Sequence, residues 1–392
     1  MGYSGRMPWK ETCVINERTI MLSEYLSGDY SIAELARRRG ISRKTAHKWI
    51  GRYGADPGGG LADRSRAPQH HPHALSEAME QLILTWKARR PRWGAPKIHS
   101  KLWREPDCPA ESTVSNVLRR HGLSRRQRRP KRATPNAGPL VQAGGANEVW
   151  CVDFKGWFRL GNGGRCDPLT LSDAWSRYLL CCQAISGTTG WLTVQPLLTE
   201  VFREYGLPQR IRSDNGAPFA SLGLGGLSPL AVWWLQLGIG LERIQPGHPE
   251  QNGRHERMPR TLKEAVSIQT TLRQQQVALD EFRRDYNEDR PHEALGQQPP
   301  ASVYVSSARE YPERLPVAEY PAAWIKRSVR SNGEIKWNGE LVYLSQSLTG
   351  HWVGLEPVAE DLWQIHFMHQ PLGWLDERKT IPQIRSLKQK QP

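Results

Sequence analysis

The apolar residues of the first sixty positions recur at helical spacing and predict a helix-turn-helix over residues 16–53. The apolar side of the first helix is supplied by Ile20, Leu22 and Leu26. Gly28 ends that helix, and Ser31 with Glu34 has the spacing of a capping box, in which each residue satisfies an amide of the other at the start of a second helix. Leu35 and Ala36 continue its apolar face.

The last helix of this unit carries its basic residues on one side. Gly40 provides the tight turn, and Ser42 is placed to cap the helix that follows. The residues expected to face inward are Ala46, Trp49 and Ile50. The residues left facing outward are Arg43, Lys44, His47 and Lys48. A recognition helix presents such residues to the major groove of DNA, whereas an ordinary basic helical hairpin is the plainer alternative.

A second helical unit is predicted over residues 57–134, after the flexible break Asp56–Gly60. Three short helices, one near residues 75–89, one following Gly94-Ala95-Pro96-Lys97 and one beginning near Ser112, suggest another helix-turn-helix. A basic stretch follows, and its candidate DNA-binding residues are Arg125, Arg126, Arg128 and Arg129. This stretch is either a solvated tether or one that tracks DNA, and the two are compatible. Residues 135–146 are a linker rich in Pro and Gly.

From Val149 the pattern changes to short strands alternating with helices. Strands are predicted at residues 149–158, 168–171, 178–185, 210–213 and 240–244, and helices at 189–205, 230–237, 252–268 and 272–288. Three strands followed by alternating helix and strand indicate a mixed α/β sheet. We assign residues 147–305 to this domain.

Residues 306–380 return to short strands, separated by Asn332-Gly333 and Asn338-Gly339. An Asn-Gly pair between two apolar runs is a strong signal for a two-residue hairpin. The pattern predicts a small β-barrel here. The segment 381–392 is polar and basic and is expected to be a disordered tail.

Charge divides the chain into two parts. Residues 1–140 contain 27 Lys and Arg against 12 Asp and Glu, whereas residues 141–392 contain 27 of each, so the formal net charge of +15 belongs to the first third. Clustered positive charge suits a polyanion such as DNA, because each phosphate contact releases condensed counterions. Solubility is the alternative explanation.

The cysteines and the hydrophobic content narrow the class of protein. The six cysteines show no C-x-x-C pair with zinc-ligand spacing, and Cys181 and Cys182 stand in an apolar run that predicts core positions. No run of about 18 apolar residues indicates a membrane span, and no leader peptide is recognised. We therefore expect a cytoplasmic, nucleoid-associated protein.

Three acidic residues stand out by their context. Asp153 lies within an apolar strand, where an unpaired carboxylate is costly unless it binds something. Asp214 directly follows a predicted strand, at the end where open α/β sheets place their ligands. Glu256 follows Asn252-Gly253 on a predicted helix. Three converging carboxylates would require divalent cations, and oxygen ligands favour Mg²⁺ or Mn²⁺. On spacing alone, a structural role for each acid is equally open.

Longer motifs surround these acids. They are WCVDFKG at 150–156, RSDNGAPF at 212–219, PGHPEQNGRHER at 246–257 and YNEDRPHEAL at 286–295. In order and spacing, the chain resembles the integrase-like DDE transposases of bacterial insertion sequences, which share the catalytic core of retroviral integrases. The resemblance is strong over residues 147–305 and looser over the helical units before them.

The resemblance implies a ribonuclease-H-like core in which Asp153, Asp214 and Glu256 hold two Mg²⁺ or Mn²⁺ ions. It implies a transposase that binds the terminal repeats of an element, cuts there and joins the exposed 3′-hydroxyl to target DNA, as a homo-oligomer on double-stranded DNA. The alternative is a DNA-binding regulator or decayed transposase that uses only its helix-turn-helix domains. A nuclease without joining activity is a third, weaker possibility.

Neighbours of the three acids carry further expectations. Asp173 also matches the family pattern but is expected to be a hydrogen-bonding turn aspartate. Pro259 departs from the pattern, because the family more often has a helix-compatible residue there. Proline removes a hydrogen bond, so the helix of Glu256 either starts late enough to tolerate it or kinks. Arg260 and Lys263 should share a face with Glu256 and contact DNA, and surface pairing with nearby acids is the alternative.

Overall fold

The computed structural model describes residues 13–65, 75–124, 140–221, 223–244, 253–378 and 383–386, without the side chains of 253–256 and 386. It divides into two compact units, Met1–Ser76 and Glu77–Pro392. Each unit has its own buried apolar residues. In the described part of the chain, no helix is both long enough and apolar enough to span a membrane.

The first unit is a three-helix bundle. Its helices are α1 (Val14–Leu26), α2 (Ile32–Arg38) and α3 (Arg43–Ala55). The capping box forms as predicted: the Glu34 amide donates to Ser31 Oγ, and the Ser31 amide donates to Glu34 Oε2. Gly40 adopts a φ of +64° in the turn, where a side chain would strain the backbone.

The prediction for the apolar side of the first helix is confirmed for Leu22 and wrong for Ile20 and Leu26. Met21 and Leu22 supply its buried face, whereas Ile20 is 43% exposed and Leu26 is 63% exposed. The inward prediction for α3 is confirmed for Ala46 and Trp49. The Arg18 guanidinium lies 3.5 Å from the centroid of the Trp49 ring, so this tryptophan joins α1 to α3 by both packing and a cation–π contact.

The second unit opens with the three predicted helices. They are α4 (Glu77–Arg89), α5 (Ala95–Leu102) and α6 (Glu111–Arg120). Pro96 stands in the first turn of α5, where its missing amide costs no helical hydrogen bond. Their shared interior is fully apolar and consists of Met79, Ile83, Ile98, Leu102, Val114, Val117 and Leu118.

A mixed sheet follows, as predicted. Its strands are β1 (Val149–Phe154), β2 (Phe158–Arg159), β3 (Arg165–Asp173), β4 (Leu179–Ile185), β5 (Arg210–Ser213) and β6 (Gly240–Arg243). The order is β2-β3-β1-β5-β6, with β4 also paired to β3. Strands β1, β3 and β4 form an antiparallel meander, whereas β5 runs parallel to both β1 and β6.

Helices cover both faces of this sheet. They are α7 (Trp191–Tyr205), α8 (Pro229–Gln236), α9 (Gly253–Ala265) and α10 (Leu272–Arg284). Trp150 and Val152 of β1 pack in one apolar cluster with Phe202 of α7 and Trp233 of α8. Residues of α9 and α10 pack with Cys182 of β4 in another. The prediction that Cys181 and Cys182 are core residues is confirmed.

The C-terminal part is antiparallel. Its strands are β7 (Ile325–Ser328), β8 (Glu334–Trp337), β9 (Glu340–Tyr343), β10 (Trp352–Ala359), β11 (Leu362–Phe367), β12 (Gln370–Asp376) and β13 (Gln383–Ser386). Five of them form a sheet in the order β13-β12-β11-β10-β7, and β8 pairs with β9 through the predicted Asn338-Gly339 turn. The expected β-barrel needs correction: among the described residues the ladder stays open, because β7 and β13 are its two edges. β7 and β13 were not predicted.

A buried ion pair fixes the two parallel strands to the incoming linker. Arg212 Nε of β5 lies 2.6 Å from Glu242 Oε2 of β6, and the side chains are only 9% and 8% exposed. The second Glu242 oxygen accepts from the Val141 amide, while Arg212 donates to the Val141 carbonyl. The pair therefore satisfies its own desolvated charges and holds the chain just before β1.

Replacing Glu242 by Ala should lower the free energy of unfolding of the second unit by about 3–5 kcal/mol, because it leaves the Arg212 charge buried and unpaired. The measurement is the midpoint of urea unfolding followed by tryptophan fluorescence. The matched control is Glu200→Ala, which removes an exposed pair with Arg203 and should cost less than about 1 kcal/mol. Equal midpoints for the two variants would contradict a structural role for the buried pair.

Candidate active site

The pairing of β1 with β5 determines where two of the three acids lie. The parallel register pairs Val149 with Arg210 and Cys151 with Arg212. The paired residues end there, and the same offset, continued by two residues, would pair Asp153 with Asp214, which directly follows β5. Neighbouring strands lie about 4.8 Å apart. Both aspartates are partly buried, and the register predicts that they lie side by side.

The two aspartates also belong to the same face of the sheet. Side chains alternate along a strand, and Trp150 and Val152 point into the cluster with α7 and α8. Cys151 packs on the other face, which is the face that Asp153 shares. In a parallel pair, residues in register lie on one face, so Arg212 and Asp214 follow Cys151 and Asp153.

The turn after β5 holds Asp214 in position. The Gly216 amide donates to Asp214 Oδ1 at 3.1 Å, and the Asn215 side-chain amide donates to the Ile244 carbonyl at 2.6 Å, next to the end of β6. A Cβ on Gly216 would lie 3.1 Å from Asp214 Oδ2, which is tighter than most such contacts. Asn215 and Gly216 therefore help to hold the Asp214 carboxylate in place.

Glu256 lies in the first turn of α9, and its side chain is outside the described residues. The helix runs from Gly253 through Pro259 without a break. Pro259 is thus an interior proline, and the carbonyl four residues before it lacks its helical donor. Met258 and Leu262 of the same helix are buried against β3, β4 and α10, so packing compensates the lost bond.

Lys155 was not singled out from the sequence. It lies two residues after Asp153, on the same face, and it lines one cavity with Lys263 of α9. Burial lowers the pKa of Lys155 to about 8; nearby Lys263 also lowers it, whereas Asp153 opposes the shift. Strand alternation counted from Asp153 was the signal that could have found it. Two lysines, Lys155 just after β1 and Lys263 on α9, therefore lie close to the candidate acids.

Arg260 and Lys263 are both exposed, as expected. Arg260 is paired within the chain: its Nε lies 3.3 Å from Glu264 Oε1, four residues along the helix. The other Glu264 oxygen lies 3.0 Å from Arg92 Nη1, on the segment between α4 and α5. The plainer alternative, a surface pair, is thus seen for Arg260.

Asp173 has the hydrogen-bonding role that the sequence predicted. It is buried and accepts from the amides of Asn147, Trp175 and Ser176 and from Ser176 Oγ. Burial raises its pKa, and these donors oppose the shift. It pairs with Trp150 at the start of β1, so it lies at the far end of the strand from Asp153.

The motif at 286–295 is structural in this fold. The Asn287 side chain accepts from the Leu179 amide at 2.8 Å and donates to the Leu179 carbonyl at 3.0 Å, where the pairing of β4 shifts register. His292 packs edge-on against Tyr286. Burial, with Lys97 nearby, lowers the pKa of His292 to about 3. A neutral histidine here serves packing.

The candidate DNA-binding residues of the first unit lie as predicted. Arg43, Lys44, His47 and Lys48 are all exposed on α3. Lys48 Nζ lies 4.7 Å from the centroid of the Trp49 ring. The other set, Arg125, Arg126, Arg128 and Arg129, lies outside the described residues.

Within the described side chains, no group of three His, Cys, Asp or Glu is arranged to hold a metal ion. Glu256 is not among those side chains, so this finding does not bear on the set Asp153, Asp214 and Glu256. The metal site remains a prediction from the sequence and the strand register.

Comparison with known protein families agrees with this architecture. A helix-turn-helix domain model matches residues 17–69, and a homeodomain-like domain model matches residues 45–118. Two models of the integrase core domain match residues 144–249 and 237–300. The chain therefore combines helix-turn-helix domains with an integrase core.

Two relatives come from bacterial insertion elements. The chain is 29% identical over 248 residues to an uncharacterized 31.7 kDa protein of insertion element IS407 from Burkholderia multivorans, covering 62% of this chain and 87% of that protein. It is 27% identical over 250 residues to an uncharacterized 39.2 kDa protein of IS476 from Xanthomonas euvesicatoria, covering 62% and 69%. The integrase core models and the two insertion-element relatives together support an integrase-like transposase of an insertion sequence.

Solved structures add little to this assignment. The HTLV-2 integrase catalytic core domain in complex with magnesium has a TM-score of 0.33 at 14% identity, covering 41% of this chain and 99% of that one. A simian T-cell lymphotropic virus intasome has a TM-score of 0.36 at 17% identity, covering 76% and 100%. Scores of this size carry no argument about mechanism.

Proposed function

We propose that this transposase cuts DNA at the ends of its element and joins them to target DNA, with Asp153, Asp214 and Glu256 as the catalytic acids. The observation that supports the proposal is the parallel register of β1 and β5, whose offset, continued beyond Cys151 and Arg212, pairs Asp153 with Asp214. Glu256 is assigned by its motif and by its place at the start of α9. We also propose that the site binds divalent metal ions and that cleavage of the element end precedes its joining to target DNA.

The donor set suits a hard divalent cation. Two carboxylates at adjacent strand ends repel each other unless cations neutralise them, and oxygen ligands favour Mg²⁺ or Mn²⁺ over softer metals. Asp214 keeps one oxygen on the Gly216 amide, which orients the group and leaves its other oxygen as a ligand. Asp153 and Asp214 therefore suit a site that would share two ions with Glu256, which is assigned by its motif alone.

Two ions held there would activate the attacking oxygen and stabilise the leaving oxygen at phosphorus. The residues of the chain position the DNA for that chemistry. Asp153 and Asp214 would hold the ions that neutralise the reacting phosphate, because carboxylates alone repel it, while Lys155 and Lys263 contact the phosphates beside it. Water first cuts the element end to expose a 3′-hydroxyl, and this hydroxyl then attacks the target strand in the same site.

Capture of the element ends is assigned to the basic helices. In this proposal Arg43, Lys44, His47 and Lys48 on α3 reach the major groove of the terminal repeats, and the arginines at 125–129 follow the phosphate backbone. Two ends must be held at once, so the active form is a homo-oligomer on double-stranded DNA, acting in the nucleoid.

Changing Asp153, Asp214 or Glu256 to Ala should reduce strand cleavage to background while leaving DNA affinity within about two-fold, because affinity comes mainly from phosphate contacts elsewhere. Cleavage is measured on 5′-labelled duplexes made from the DNA that flanks the gene, with Mg²⁺ or Mn²⁺. Chelation by EDTA should abolish it in the unaltered protein.

Asp173→Asn is the matched control, since that buried aspartate lies at the opposite end of β1. It should reduce stability without removing the cleavage of the folded fraction. Wild-type cleavage by Asp214→Ala would remove Asp214 from the site. Binding of the flanking DNA without any cleavage by the unaltered chain would instead favour a regulator or decayed transposase.

Lys263→Ala should flatten the salt dependence of DNA binding by about one phosphate contact, a change of about 0.9 in the slope of log K against log salt. Arg260→Ala should change it less, because Arg260 must first leave Glu264. The measurement is fluorescence anisotropy between 50 and 200 mM salt, on the same flanking duplex and with EDTA present.

Arg284→Ala serves as the control for this slope. Arg284 is an exposed cation on α10, outside the proposed site, and its removal should leave the slope unchanged. An unchanged slope in Lys263→Ala would refute the phosphate contact and leave Lys263 as a surface residue.

A further inference from the structure

A cleft opens beside the candidate acids, between the segment after β1 and the helices α9 and α10. Its volume is about 390 Å³. The apolar part of its lining includes Trp157, Phe158, Pro168, Leu262, Val266 and Leu279. The cleft begins two residues after Asp153 and extends along the helix that carries Glu256.

The mouth of the cleft exposes large apolar side chains. Trp157 is 55% exposed and Ile268 is 61% exposed, and both line the cleft. Leu262 and Leu279, by contrast, are buried in its floor. A flat aromatic ring at the mouth and a closed apolar floor favour a planar apolar group as the occupant.

The two charged residues of the lining are both lysines. Lys155 and Lys263 both line the cleft, one from each wall. Arg165 lies 5.2 Å from the centroid of the Trp157 ring, where it pairs with Asp167 at 2.6 Å. An occupant that matches this lining has a planar apolar part and an adjacent anionic part, which describes a nucleotide.

We propose that the cleft holds one unpaired nucleotide of a DNA strand bound at the acidic site. Its base stacks on Trp157 and enters the apolar floor, and its phosphates lie between Lys155 and Lys263. The base must have left the duplex, because the faces of paired bases are covered by their neighbours in the stack. This inference rests on the proposed function and deepens it, since it adds a specificity site for unpaired ends.

The test compares three fluorescent probes that share one 20-base-pair duplex: a blunt end, three unpaired thymidines at the 5′ end, and three at the 3′ end. The full-length chain is titrated by anisotropy in EDTA, so that no cleavage occurs. One overhang should bind at least about five-fold more tightly than the blunt end, as stacking of a base on an aromatic ring allows.

Trp157→Ala should abolish the preference for the overhang and leave blunt-end affinity unchanged. Ile268→Asp, an exposed position where folding tolerates the change, should reduce the same preference by placing negative charge at the mouth. The matched control is Trp175→Ala: Trp175 is 36% exposed, outside the cleft, in the turn after β3, and its loss should leave the preference intact.

Equal binding of all three probes by the unaltered chain would overturn the inference, as would an overhang preference that survives in both Trp157→Ala and Ile268→Asp. A change in oligomeric state, with unchanged probe binding, would assign the cleft to a protein partner and also overturn it. Cleavage without an overhang preference would remove only this inference, whereas an overhang preference without cleavage would remove only the metal-dependent reaction.

Discussion

The parallel pairing of β1 with β5 is the interaction on which the rest of this site depends. A meander alone would end its strands at alternating edges, and no two carboxyl ends would be neighbours. By running parallel to β1, β5 brings a second carboxyl end to the same edge. The buried Arg212–Glu242 pair holds β5 to β6 and fixes the linker that leads into β1. The buried Arg212–Glu242 pair thus holds in place the strand that leads to Asp214, the predicted neighbour of Asp153.

Much of the first helical unit and of the integrase core could be predicted because local signals agree with the tertiary structure. The β5 bounds and the caps of α2 and α3 came from short-range rules that packing did not override. Burial was harder to predict: α1 presents Met21 rather than Ile20 to its core, since a helix with apolar residues on several sides leaves its orientation to its neighbours. The edge strands β7 and β13 are short and partly exposed, so their apolar pattern is weak.

Residues of the candidate site could be predicted where they lie in recognisable sequence motifs. Asp153 and Asp214 were singled out by their context and remain predicted site residues. The hydrogen-bonding role of Asp173 is confirmed, because a turn aspartate beside Ser176 has local donors to satisfy it. The cleft at Trp157 could not be read from the sequence. Its walls come from residues about one hundred positions apart, and only the packing of α9 and α10 on the sheet brings them together.

Several basic residues of the helical unit α4–α6 form ion pairs with acids elsewhere in the chain. Arg90 and Lys101 are paired with Asp289, Arg90 also with Asp285, and Arg92 with Glu264. These acids belong to residues 141–392, which are neutral by composition. In the folded chain they therefore neutralise some of the cations of the basic first third. Cations already neutralised in this way displace no ions from DNA. The number of ions released on binding is therefore smaller than the lysines and arginines of residues 77–124 suggest.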